Sequence, residues 1–332
     1  MKRIAIIGGG SWGTALSIIL AKARQAVRLW VYEAELVTEI NQDRRNSLYL
    51  PEFSIPDGVQ ASGSLEFCLE QAEILLSVIP SQHCRNVYQA MLPYLNPDMI
   101  FVSATKGIEN QNLQRMSEVI REVVSPAFSP KIAVISGPSF AKEVAKGDPT
   151  AIVVASQDKE TAELVQLEFS GPSLRLYTNP DVVGVELGGA VKNVIAIAAG
   201  VCAGMGLGFN SMAALITRGL AEMTRLALAC GGRRDTLAGL AGMGDLVLTC
   251  TGGLSRNRTV GVQLGQGRKL SEIVSSMRMV AEGIMTARAT LNLAKKYQVE
   301  MPITEQMDYV LHQGRNPLDA IRDLMERRLK DE

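Results

Sequence analysis

Apolar residues follow two different rhythms along the chain. Over residues 1–180, short β-branched runs recur at 3–7, 27–32, 59–62, 74–79, 99–103, 131–136, 151–155 and 174–178. Several are continuous rather than alternating, as strands covered on both faces should be. Stretches with helical spacing, such as 11–24 and 113–123, lie between them. Strand–helix alternation of this kind predicts an α/β, doubly wound, mostly parallel sheet. After Pro180 the β-rich runs stop, and Ala/Leu/Met-rich stretches take over at 189–200, 211–230, 270–277 and 286–297. The pattern therefore predicts a sheet domain over residues 1–180 and an all-helical C-terminal domain over 181–332.

Composition narrows the function classes. The 332 residues carry 34 Lys+Arg against 34 Asp+Glu, with 47% hydrophobic residues. That mix suits a globular chain of two domains, and the balanced charge lacks the basic footprint of a nucleic-acid binder. Five widely spaced cysteines, with no Cys-x-x-Cys pair and only His83 and His312 to join them, argue against a zinc site or a disulfide framework. They fit a reducing, cytoplasmic setting. Residues 193–217 hold no charge and are long enough to span a bilayer. Gly204, Gly206 and Gly208 interrupt them, so the expectation is a buried helix pair and no integral membrane association. The apolar run after Lys2-Arg3 is likewise broken early, by Gly8-Gly9-Gly10, Trp12 and Gly13, which argues against a secretory leader.

The first chemical signal is Gly8-x-Gly10-x-x-Gly13, directly after a strand and opening a helix near Ser11. Gly8 permits the tight turn, Gly10 lets backbone N–H groups approach a pyrophosphate, and Gly13 allows close helix–strand packing. The helix dipole then faces the phosphates. Glu33, twenty residues past Gly13 at the end of the second strand, is placed to accept ribose hydroxyls. These features predict a Rossmann dinucleotide-binding domain.

Isolated charges supply the second signal. Lys192 is the only charge between Glu186 and Arg218, and Asp245 the only one between Asp235 and Arg256. Unpaired charges are costly to bury, so such residues are paired, exposed in a cleft, or functional. Lys106 follows the strand 99–103 at its carboxyl end, where open α/β sheets bind ligands. With histidine so scarce, Lys192 is the candidate for the group that exchanges the proton of a reacting hydroxyl. Glycines, hydroxyls, an amide and guanidinium groups in 249–258 suit a phosphate grip. Residues 137–141 suit backbone donors at a helix start.

These stretches resemble the NAD(P)-dependent glycerol-3-phosphate dehydrogenases of bacterial type along essentially the whole length. The matching segments are Gly8-Gly9-Gly10-Ser11-Trp12-Gly13-Thr14-Ala15, Ser136-Gly137-Pro138-Ser139-Phe140-Ala141 and Leu187-Gly188-Gly189-Ala190-Val191-Lys192-Asn193-Val194. They continue with Gly206-Leu207-Gly208-Phe209-Asn210, Gly242-Met243-Gly244-Asp245-Leu246 and Ser255-Arg256-Asn257-Arg258. The resemblance implies interconversion of dihydroxyacetone phosphate and sn-glycerol 3-phosphate with NAD(P)H, supplying the phospholipid backbone. It implies Lys192 as the proton-exchanging group, with Lys106 and Asp245 in the catalytic network. It further implies substrate contacts at Lys106, Gly137, Ser139, Lys192, Asp245, Thr249, Ser255, Arg256 and Asn257. Cofactor contacts are implied at Ser11, Trp12, Lys106, Ala141, Arg256, Val280 and Glu282, and a homodimer as the assembly. Two alternatives stand beside this reading: a β-hydroxyacid dehydrogenase of the same two-domain layout, and a non-catalytic NAD(H)-binding redox sensor.

One departure from the bacterial pattern bears on the cofactor. Many bacterial members carry His or Arg at the end of the second strand, whereas this chain has Trp30-Val31-Tyr32-Glu33. Tyr32 suits stacking on adenine and Glu33 repels a 2′-phosphate, so NAD is favoured over NADP. Arg44 or Arg45 would restore tolerance of NADP if their loop folds over the adenosine.

Overall fold

The computed structural model describes residues 2–23, 26–277 and 281–328. The first half is one eight-stranded sheet in the order β3-β2-β1-β4-β5-β6-β7-β8. The strands are β1 Ile4–Ile7, β2 Val27–Trp30, β3 Val59–Ser62, β4 Ile74–Ser77, β5 Ile100–Ser103, β6 Lys131–Ser136, β7 Thr150–Ala155 and β8 Leu174–Asn179. Every neighbouring pair is parallel except β6 with β7. Each of the eight expected runs holds a strand. The helices around the sheet are α1 Ser11–Ala23, α2 Ala34–Gln42, α3 Leu65–Leu69, α4 Cys84–Met91, α5 Met116–Val124, α6 Ala141–Lys146 and α7 Lys159–Phe169.

The continuous apolar runs are explained by the pleat. Ile4 and Ile6 of β1 join Ile74 and Leu76 of β4 in one core. Ala5 and Ile7 join Leu75 and Phe101 in the core on the opposite face. Alternate side chains point to opposite faces, so a sheet covered by helices on both sides needs no polar position in its central strands. Strand order reverses between β1 and β4, and that switch point opens a crevice at the carboxyl ends of the strands.

The second half is helical: α8 Val182–Gly204, α9 Phe209–Ala229, α10 Arg234–Ala238, α11 Asp245–Thr251, α12 Arg256–Gly265, α13 Leu270–Ser276, α14 Glu282–Lys296, α15 Pro302–His312 and α16 Pro317–Met325. Helix α8 is long and apolar enough to cross a membrane, yet it is buried as the hub of this half. Its packing on α12 relies on absent side chains. A Cβ at Gly200 would lie 2.1 Å from the Arg258 carbonyl, and one at Gly261 2.0 Å from that of Ile197. The two helices thus meet backbone to backbone.

Two expectations need correction. The helix expected from residue 113 begins at Met116, because Leu113 has φ +56° and Gln114 turns back to accept the Glu109 amide. Arg115 and Glu118 cap the later start. The uncharged stretch 193–217 does break between two helices, at Met205–Gly208, but only α8 is buried through its length. The start of α9 is exposed, with Phe209 93% accessible, because no described element of this chain covers it.

Candidate active site

A cleft of about 850 Å³ runs along the switch point and continues between the sheet and the helical half. At its sheet end the chain leaves β1 and turns at Gly8 with φ +126°; a Cβ there would lie 2.5 Å from the Val78 carbonyl. A Cβ at Gly13 would lie 1.9 Å from the Gly8 carbonyl, whereas one at Gly10 would meet nothing within 4 Å. The turn is therefore locked from behind and open toward the cleft, as backbone donors for a pyrophosphate require. Trp12 Nε1 in the cleft wall has no hydrogen-bond partner among the described residues. Glu33 stands at the start of α2 and accepts a 2.6 Å hydrogen bond from the Tyr49 hydroxyl. These features fit a dinucleotide with its adenosine toward Tyr32 and Glu33.

Deeper in, two helices and a loop converge on one carboxylate. Asp245 opens α11 after the wide turn Leu240–Gly244, whose Ala241 carbonyl would lie 2.5 Å from a Cβ at Gly188 of α8. That close approach sets Asp245 against Lys192. Lys192 Nζ lies 2.5 Å from Asp245 Oδ1 and donates to Thr249 Oγ1 at 2.8 Å. Lys106 Nζ, from the loop after β5, lies 2.8 Å from Asp245 Oδ2 and donates to the Gly137 carbonyl at 2.9 Å. Ser139 Oγ is 3.4 Å from the same ammonium. One buried carboxylate thus divides its two oxygens between two lysines, leaving the trio with one net positive charge. Burial pushes the Lys192 ammonium down to about 8 against the pull of Asp245, and Lys106 beside it adds to the fall. Such a group exchanges protons readily near neutral pH.

At the mouth of the cleft, Ser255 caps α12 by accepting the Arg258 amide at 3.2 Å. Arg256 and Asn257 form the first turn, where backbone N–H groups and the dipole favour an anion. Asn257 donates to Asn193 Oδ1 at 2.9 Å and accepts the Gly283 amide at 3.0 Å. Glu282, which opens α14, accepts the Ser81 hydroxyl at 2.7 Å.

Comparison with known proteins matches this architecture in both halves. The model described as NAD-dependent glycerol-3-phosphate dehydrogenase N-terminus matches residues 3–162, and that described as the C-terminus of the same enzyme matches 181–322. The chain belongs to the NAD-dependent glycerol-3-phosphate dehydrogenase family. Among its relatives, the glycerol-3-phosphate dehydrogenase [NAD(P)+] of Koribacter versatilis is 64% identical over 98% of each chain. That of Geobacter sulfurreducens is 53% identical over 100% of this chain and 99% of the relative. The crystal structure of glycerol-3-phosphate dehydrogenase from Coxiella burnetii superposes with TM-score 0.94 at 41% identity, covering 98% of this chain and 99% of that one. The D-mandelate dehydrogenase structure with NADH shares the fold alone, at 12% identity over 94% of this chain and 98% of that one, with TM-score 0.62. The relatives agree with the glycerol-3-phosphate reading and not with a β-hydroxyacid dehydrogenase or a sensor.

Within this family member, the residues expected from sequence fall in three places. Gly8, Gly10, Ser11, Trp12, Tyr32, Glu33, Lys106, Ser139, Ala141, Lys192, Thr249, Ser255, Arg256, Asn257 and Glu282 line the cleft. Gly13, Gly137 and Asp245 stand behind its wall, where they shape or hold the lining residues. Val280 lies outside the described residues. Arg44 donates to the Val59 carbonyl and pairs with Asp57, and neither it nor Arg45 lines the cleft. Sequence reasoning missed Asn193, Tyr49 and Ser81. Asn193 adjoins Lys192 at the start of the uncharged stretch and was open to inference; Tyr49 and Ser81 reach the site only through tertiary contacts.

Proposed function

We propose that this chain reduces dihydroxyacetone phosphate to sn-glycerol 3-phosphate, reversibly, in the cytoplasm, and so supplies the backbone for phospholipid synthesis. Residues 1–180 act as the dinucleotide-binding domain and 181–332 as the substrate-binding and catalytic domain. The observation that carries the reading is Asp245 held between Lys192 and Lys106 at the end of a dinucleotide cleft. Gly10, Ser11 and Trp12 in the cleft wall would hold the dinucleotide, and its nicotinamide would supply the hydride for C2 of the ketone or accept it from the alcohol.

The chain's own groups do the rest. Lys192 Nζ gives its proton to the oxygen on C2 during reduction and removes it during oxidation, a transfer suited to a lysine whose pKa is pushed down to about 8. Lys106, tethered to Gly137 and Asp245, holds positive charge where alkoxide character develops. Asp245 keeps both ammonium groups aimed. Arg256, with the first turn of α12, grips the phosphate, and that remote binding energy positions the reacting carbon. Ser139, Thr249, Ser255 and Asn257 complete the substrate wall. Glu33 favours NAD over NADP, because a carboxylate accepts ribose hydroxyls and repels a 2′-phosphate. The exposed apolar start of α9 around Phe209 supports assembly as a homodimer.

Loss of absorbance at the reduced-nicotinamide band, followed with dihydroxyacetone phosphate and either NADH or NADPH, tests the reading directly. Turnover with a preference for NADH is expected. Absence of turnover with both, in protein that binds them, would reject it.

A further inference from the structure

The loop between α2 and β3 crosses the dinucleotide turn and is fastened to it at several points. Asn46, fully buried, donates to the Gly9 carbonyl and to Thr14 Oγ1, both at 2.9 Å. Its Oδ1 accepts the Tyr49 amide at 3.1 Å. The Tyr49 carbonyl accepts the Ser11 hydroxyl at 2.7 Å. Tyr49 is thus anchored by its backbone to the same turn that faces the pyrophosphate. Its hydroxyl then reaches Glu33 Oε1 at 2.6 Å, a short charge-assisted bond.

We propose that Tyr49 is a positioning residue that sets the preference between NADH and NADPH by holding Glu33 at the adenosine end of the cleft. The proposal rests on the reading of Glu33 as the ribose acceptor. A carboxylate at an exposed helix start ordinarily rotates freely in water, and a 2′-phosphate would push it aside at little cost. Fastened through Oε1, Glu33 keeps Oε2 for a ribose hydroxyl and cannot swing away from a phosphate. Burial and the neighbouring Glu33 push the Tyr49 phenol up to about 12, so it stays a donor throughout the neutral range. Arg44, one of two arginines at the start of the same loop, is engaged by Val59 and Asp57.

Equilibrium binding separates this role from catalysis. Dissociation constants for NADH and for NADPH, from fluorescence titration, are compared for the natural protein, Tyr49→Phe, Glu33→Gln and the double variant. Tyr49→Phe keeps the ring and its packing, and a thermal melt checks that each variant folds. The natural protein is expected to bind NADH more tightly. Tyr49→Phe narrows the NADH-over-NADPH ratio by about tenfold, the scale of one hydrogen bond to a charged group. In the Glu33→Gln background the same substitution changes the ratio little. If Glu33→Gln narrows the ratio while Tyr49→Phe leaves it unchanged, or weakens both cofactors equally, the role of Tyr49 is overturned and that of Glu33 stands. If Glu33→Gln itself leaves the ratio unchanged, or the natural protein prefers NADPH, the Glu33 reading fails and the proposal fails with it.

Discussion

Asp245 Oδ1 lies 2.5 Å from Lys192 Nζ, and the pair is buried at the floor of the cleft. A buried ion pair is a poor source of net stability. In the proposed function its use is chemical: it holds an ammonium in place while burial keeps that ammonium easy to deprotonate.

The pH dependence follows from the sign of that shift. With a pKa lowered to about 8, Lys192 loses its proton as pH rises through that value. Oxidation of glycerol 3-phosphate, which needs the neutral amine, should rise through that range, while reduction, which needs the ammonium, should fall. Replacing Asp245 with Asn removes the partner that raises the lysine's pKa and leaves Lys106 to lower it. Both limbs should then move to lower pH, together with a loss of turnover of about a hundredfold or more. Rate profiles in both directions check this, and limbs unmoved in Asp245→Asn would refute it.

Lys192→Ala should depress turnover by about a thousandfold, within the range for a lost proton-transfer group. NADH affinity should change little, because the dinucleotide turn lies at the other end of the cleft. Near-normal turnover would remove Lys192 from its role.

Arg256→Ala should raise KM for dihydroxyacetone phosphate by about tenfold to a hundredfold, since a charge-assisted bond to phosphate is lost. The slow reduction of unphosphorylated dihydroxyacetone should be unaffected. Equal losses on the two substrates would show that Arg256 does not read the phosphate.

Glu222 of α9 gives a test of the helical scaffold. Its buried carboxylate accepts the backbone amides of Ile303 and Thr304 at 2.6 and 3.2 Å, capping α15 from a distant helix. Burial outweighs these bonds and pushes its pKa up to about 7. Between the unfolded value of about 4.3 and that point the folded state holds more protons, so this group's contribution to stability falls as pH rises across the window. Glu222→Gln sets an amide NH2 against one of the two N–H donors and should cost about 1–3 kcal/mol. It should also flatten the stability profile between roughly pH 4.5 and 7. Urea melts across that range measure both, and an unchanged slope would count against the assignment.

Strand–helix alternation, the Gly8-Gly10-Gly13 turn and the change to helices after Pro180 are all legible along the chain. Each is a local matter of apolar periodicity or of backbone freedom at glycine. Isolation in apolar stretches also marked Lys192 and Asp245, because a buried charge demands a reason. Their distance from each other was beyond such reasoning. Residues 53 positions apart meet only because Gly188 lets the turn before Asp245 press against α8. Only in the folded chain does Tyr49 fasten Glu33, Arg44 bond the Val59 carbonyl and pair with Asp57, and α9 begin exposed. Those outcomes depend on which surfaces the folded chain brings together, and no periodicity along the sequence carries that information.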